Sequence, residues 1–124
     1  MQNYNSKVKI EIKQRAYLYA LEVIKFIDQL NKNDFSVRMI AQQLLRSATS
    51  IGANIVEAQA ASSKKEFTNF LNHSLKSANE SKFWLALLRD SDKAKSDFTN
   101  KLLTETKEIA NILAPSILTL KGKR

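Results

Sequence analysis

Apolar positions recur along most of this chain at alternating steps of four and three, the period of a helix that turns one face inward. In the first segment Ile12, Ala16, Tyr19, Val23, Phe26 and Leu30 keep that rhythm, which is the seam of a helix packed in a bundle. The pattern predicts a helix over 8–30. Asn31, Lys32 and Asn33 follow, of which the asparagines tolerate the left-handed backbone at a helix end, and Ser36 is placed to cap the next helix.

A second helix is predicted over 37–60. Val37, Ile40, Leu44, Ile51 and Ile55 share one face, and Ala41, Leu45, Ala48 and Ala58 widen it. The only charges in this stretch are Arg38, Arg46 and Glu57. A helix exposed on one side carries charges there, so their scarcity predicts cover on more than one side, with another subunit as a source of the second cover.

Ser63 and Glu66 have capping-box spacing and open a third helix over 64–90. Its seam runs through Phe67, Leu71, Ser74, Ala78, Ser81, Leu85 and Leu88, with small residues in the middle that allow a close helix approach. Phe70, Trp84 and Leu87 make a second apolar strip that also needs a cover. Asp90, Ser91 and Asp92 mark a turn, and Phe98, Leu102, Ile109, Leu113, Ile117 and Leu120 form the inner face of a fourth helix over 96–120. Pro115 is expected to kink or end that helix, and residues 121–124 form a basic tail. Four long helices with short connections fold most simply as an all-α, antiparallel up-down-up-down four-helix bundle, one domain across 1–124.

Composition narrows the picture by exclusion. Two glycines and one proline in 124 residues are too few for the turns of an all-β chain. With no cysteine, disulfides and thiolate-bound metals are excluded. The apolar runs are far shorter than a membrane span, and the N-terminus has no apolar signal stretch, so the expectation is a soluble cytoplasmic protein. A net charge of +8 makes an anionic partner plausible, but the surplus is spread along the chain. The candidate nucleic-acid contacts are Lys64 and Lys65 at one turn, and Arg89, Lys93 and Lys95 at another. In an up-down bundle these two groups fall at opposite ends.

Groups for catalysis are scarce. His73 is the sole histidine, and no Glu-x-x-His pair of the helical di-metal kind is present. Glu57 and Glu80 sit among small neutral residues, an arrangement that suits hydrogen bonding or an ion pair with Arg46 better than an acid/base pair, since no nucleophile or phosphate loop accompanies them. No cofactor, metal or small-molecule substrate is expected.

The run from Gln43 through Arg46, Ser50-Ile51, Ala53-Asn54-Ile55 and Glu57 to Ala58, followed by Ser63, Lys64-Lys65-Glu66-Phe67 and Leu75 to Glu80, resembles the family called four helix bundle proteins. That family includes the proteins encoded in intervening sequences of bacterial large-subunit ribosomal RNA genes, and is similar in fold to the accessory variability determinant of diversity-generating retroelements. The resemblance spans nearly the whole chain. It implies a ring-like homopentamer with no enzyme activity, whose basic surface meets RNA or DNA or a nucleic-acid enzyme; a protein-interaction scaffold is the alternative. Arg46, Ser50, Asn54, Glu57, Phe70, Glu80 and Trp84 are the expected structural and interface residues. Where the family often has Glu-Gly, this chain has Glu57-Ala58, so the second helix is expected to run past that point.

Overall fold

The computed structural model describes residues 2–122, with side chains from residue 11 to residue 122. Four helices account for its regular structure: α1 (Gln2–Asp28), α2 (Phe35–Gln59), α3 (Lys64–Asp90) and α4 (Ser96–Leu120). Each packs against its neighbours in the closed order α1–α2–α3–α4, and the diagonal pairs do not meet. This is the up-down-up-down bundle that the periodicity predicts. Lys123 and Arg124 of the expected tail lie outside the described residues.

Local chemistry explains the boundaries. The cap of α2 is Asp34, not Ser36: the Val37 N–H donates to Asp34 Oδ1 at 3.2 Å, and an ionised cap also complements the positive end of the helix. At α3 the Glu66 N–H donates to Ser63 Oγ (3.1 Å), while Glu66 Oε1 accepts from the Ser62 N–H (3.0 Å), one residue before the cap. The other end of α3 closes with Asp92 at φ 60°. There the Lys93 N–H reaches the Leu88 carbonyl (2.9 Å) and the Asp92 N–H reaches that of Arg89 (3.1 Å), a Schellman closure with aspartate in the place usually taken by glycine. Helix α2 runs past Glu57 to Gln59, as the Ala58 substitution implies.

Of the kink or end expected at Pro115, the end does not occur: helix α4 continues to Leu120. Proline inside a helix costs about 3 kcal/mol, and the buried Leu113 and Ile117 that flank it tie both sides of the helix to the core. The predicted seams otherwise line the core: Ile12, Ala16, Tyr19, Val23 and Phe26 of α1, Leu30 just past its end, and Leu71, Ala78, Leu85 and Leu88 of α3 are buried, while Ile40, Phe67, Phe98 and Leu120 pack partly buried against them. Leu45, expected to widen the inner face of α2, is instead 40% exposed, because it lies one residue, or 100°, around the helix from the buried Leu44.

The α2–α3 contact is the most intimate in the molecule, and small residues make it so. Ser47, Ala48 and Ile51 of α2 meet Ser74, Ala78 and Ser81 of α3, all fully buried. Ser47 and Ser81 hydroxyls bond at 2.8 Å, and Ser74 Oγ donates to the Ile51 carbonyl at 2.8 Å. Each satisfied pair contributes only about 1 kcal/mol, whereas an orphaned hydroxyl there would cost more than that. No fully buried side-chain polar atom among the described residues lacks a partner. On the opposite side, Tyr19 of α1 and Thr106 of α4 bond hydroxyl to hydroxyl at 2.6 Å, and Thr106 also reaches the Leu102 carbonyl. With one proton each, Tyr19 donates to Thr106 and Thr106 to the carbonyl. Burial pushes the Tyr19 hydroxyl up to about 12.

Candidate nucleic-acid and assembly surfaces

Helical spacing gathers the expected interface residues. Arg46, Ser50, Asn54 and Glu57 follow steps of four, four and three along one side of α2, and bonds across the groove place Glu80, Ser77 and their neighbours of α3 beside them. Ser77 Oγ donates to Ser50 Oγ at 3.0 Å, and Asn54 Nδ2 donates to the Ser50 hydroxyl and carbonyl, each at 2.9 Å. Arg46 pairs with Glu80, whose carboxylate also accepts from Trp84 Nε1 at 3.0 Å. Phe70 and Trp84 are partly buried against the core. The result is a continuous outer α2–α3 surface of small polar groups and aromatic edges, with its only ion pair at the middle.

Glu57 behaves differently from Glu80. It is exposed, and its carboxylate has neither a hydrogen bond nor an ion pair among the described residues. Of the two carboxylates expected to hydrogen-bond or to pair with Arg46, Glu80 does so and Glu57 does not; Ala58, not Glu57, turns inward. Glu80 lies level with Arg46, eleven residues and thus about 16 Å along α2 from Glu57, so the two carboxylates form no acid/base pair. His73 is exposed. Among the described residues no three of His, Cys, Asp and Glu gather where they could hold a metal ion.

The candidate cations divide into engaged and free. Lys93 Nζ bonds Asp34 Oδ2 at 2.6 Å, strapping the α3–α4 turn to the cap of α2. This contact, followed by the Val37 N–H bond, holds the Asp34 carboxyl below the usual carboxylate range. Arg89 bonds Asp90 (2.8 Å) and Asn100 Oδ1 (2.9 Å), and in return depresses the Asp90 carboxyl. Lys64, Lys65 and Lys95 are exposed, and their ammonium groups are unpaired among the described residues. The fold keeps Lys64 and Lys65 at the opposite end from Arg89, Lys93 and Lys95, as the alternation of helices requires.

Two apolar areas stay open. On α1, Tyr17 (65% exposed), Leu21 and Ile24 form a strip beside Leu45 and Val56 of α2. Between the helices runs a groove of about 640 Å³ bordered by Lys13, Tyr17, Ala20, Gly52, Ala53 and Val56. Gly52 shapes it: a Cβ there would lie 3.5 Å from that of Ala16. The second area is on α3, where Phe83 (57% exposed) stacks edge-on against Trp84 and Leu87 continues the strip. The α1 strip was not legible as a surface in the sequence, because Tyr17, Leu21 and Ile24 interleave with the core positions of the same helix. No helix among the described residues is long and apolar enough to cross a membrane.

The profile of the 23S rRNA-intervening sequence protein family matches residues 8–115. No curated protein matches the chain. Among solved structures, a protein of unknown function from the S23 ribosomal protein family of Bacteroides thetaiotaomicron is 32% identical, with a TM-score of 0.82 over 89% of this chain and 97% of that one. A shared bundle alone would establish only the fold; the profile match over almost the whole length goes further, and the chain belongs to the 23S rRNA-intervening sequence protein family.

Proposed function

We propose that this protein is a non-catalytic subunit of a ring-like homopentamer whose repeated basic surfaces bind nucleic acid, RNA or DNA. The observation that carries this reading is the uneven use of charge. Glu22, Asp34, Glu80, Asp90, Glu105 and Glu108 are consumed in ion pairs within the chain, while Lys64, Lys65, Lys95 and other lysines remain unpaired in a protein of net charge +8. Free cations on a folded surface attract phosphates and release counterions when they bind. The open strips on α1 and α3 support self-association, since contiguous apolar surface of this kind marks contact sites. They lie on diagonal helices and are unlike one another, which favours head-to-tail contacts that close a ring over a two-fold dimer.

A salt-dependent titration with structured RNA, duplex DNA and a polyanion, read alongside the mass from light scattering, tests both halves. Binding that weakens linearly in log salt, by a particle several times 14.1 kDa, is expected. A clean monomer overturns the assembly, and no binding of RNA or DNA near physiological salt overturns the nucleic-acid role. One observation favours the alternative scaffold reading: Arg89 and Lys93 are already engaged within the chain.

A further inference from the structure

The two clusters of cations at opposite ends of the bundle are connected by the α3–α4 edge. Lys64, Lys82 and Arg89 are separated by eighteen and seven residues, which are five and two full helical turns, so they line one edge of α3. The bond from Arg89 Nη1 to Asn100 Oδ1 at 2.9 Å shows that this edge faces α4. Because α3 and α4 are antiparallel, two turns back along α3 and two turns on along α4 from that bond bring Lys82 level with Lys107. Two further turns of four along α4, and then two more of three, lead to Lys121 on the same side, near the level of Lys64. Among the described residues neither Lys82 nor Lys107 has an ion pair or hydrogen bond from its ammonium group.

The acids of these helices are elsewhere. Glu80 is held by Arg46 on the α2 side, and Glu105 and Glu108 are held by Arg15 on the α1 side. Glu66 caps the start of α3, Asp97 lies in the first turn of α4, and Asp90 is bonded to Arg89. Arg89 keeps Asp90 as a counter-charge, but Lys82 and Lys107 have none among the described residues; like charges brought level without one raise the energy of the free protein and are relieved by a bound anion. From Lys64 to Arg89 the line is about 37 Å long, and a duplex presents a charge every 1.7 Å or so of its axis. A chain of phosphates matches such a line; a single small anion does not.

We infer that the α3–α4 edge, with Lys64, Lys82, Arg89, Lys107 and Lys121, is a track for a nucleic-acid phosphate backbone, and that Lys82 and Lys107 join the two end clusters into one site. This rests on the nucleic-acid reading above and names the surface that performs it. Contacts of this type position a backbone without reading bases, so the track takes RNA and duplex DNA alike.

The test uses the full chain and fluorescence anisotropy with a structured RNA and a duplex DNA, each titrated between 50 and 200 mM salt. K82Q/K107Q is expected to lower the slope of log affinity against log salt by about 1.8 on the duplex, two phosphate contacts at 0.9 each. Over that salt range the parent then loses about 12-fold more affinity than the variant does. Light-scattering mass and helical circular dichroism should be unchanged, and K82R/K107R should retain the parental slope. The control K25Q/K101Q removes as much charge from other faces and should move the slope less. If the parent binds nucleic acid but K82Q/K107Q keeps its slope, or K25Q/K101Q lowers it equally, the track is wrong while the nucleic-acid reading stands. If the parent binds poly-glutamate and neither nucleic acid, both fail.

Discussion

The α1–α2 face and the α3–α4 edge belong to one core but have opposite surfaces. On α1–α2 the groove and its strip are apolar, with Tyr17, Ile24, Leu45 and Val56 exposed, and α2 has few charges to offer. On α3–α4 the outward positions carry lysines with no ion pair among the described residues, and Glu80, Glu105 and Glu108 are tied to Arg46 and Arg15 on other faces. One face is suited to another protein surface and the other to a polyanion. The difference teaches that the net charge of this protein is less informative than the location of its acids: ion pairing on the remaining faces is what leaves one edge positive.

Both surfaces depend on the shared core, so the largest expected effect removes the contrast altogether. Ile51 is fully buried where α2 meets α3. Ile51→Ala should cost roughly 2–5 kcal/mol in chemical denaturation, and assembly and nucleic-acid binding should decline together; a loss below about 1 kcal/mol would mean that the seam is looser than the structure has it. The next variant separates the faces. Tyr17→Glu with Ile24→Glu places charge in the α1 strip and should reduce the light-scattering mass to that of the 14.1 kDa chain, with helical signal retained. An unchanged mass would show that the α1 strip is not the contact.

A smaller effect concerns the strap between Asp34 and Lys93. Asp34→Ala removes a cap and an ion pair, and the melting temperature should fall by roughly 2–8 °C at neutral pH. The folded carboxyl is held below its ordinary value near 3.8, chiefly by Lys93 and then by the Val37 N–H. Its contribution is therefore present above that value and is lost as pH falls below it. Parent and variant melting curves should converge in acid; a gap that persists at pH 2 would assign the effect to something other than this carboxylate. The smallest effect should come from Glu57→Ala. Glu57 is exposed and its carboxylate is unpaired among the described residues, so a dissociated subunit should melt within about 2 °C of its parent. Any larger change in the intact assembly would place Glu57 at a subunit contact, which sharpens the contrast between faces.

How far the sequence reached can be judged from single residues. The seam of α3 was legible from Leu71 through Ser74, Ala78, Ser81 and Leu85 to Leu88, because a period near 3.6 depends only on helix geometry, but at its start Thr68 is buried where Phe67 was expected, and Phe67 is only partly buried. The pairing of Arg46 with Glu80 could be suspected from two charges isolated among neutral residues. The engagement of Lys93 by Asp34 could not, since fifty-nine positions separate them and only the bundle brings the two turns together. Ser36 was the wrong cap for a local reason: Asp34 offers the same hydrogen bond two residues earlier, with a full negative charge. Pro115 does not end its helix, because the local cost of helix disruption is outweighed by core contacts on both sides.

By itself, then, the sequence determined the helices and the face that each turns inward, because backbone hydrogen bonding repeats every 3.6 residues regardless of neighbours, and burial selects the apolar positions of that repeat. It also determined that the chain has a cation surplus and few groups for catalysis. Only the tertiary structure decided which charges cancel. Arg15 meets Glu105 and Glu108, Arg46 meets Glu80, and Lys93 meets Asp34 across helices whose relative register no local pattern encodes. Coulomb attraction between exposed groups falls away within about 10 Å in salt, so the positive edge exists only once packing has set those distances.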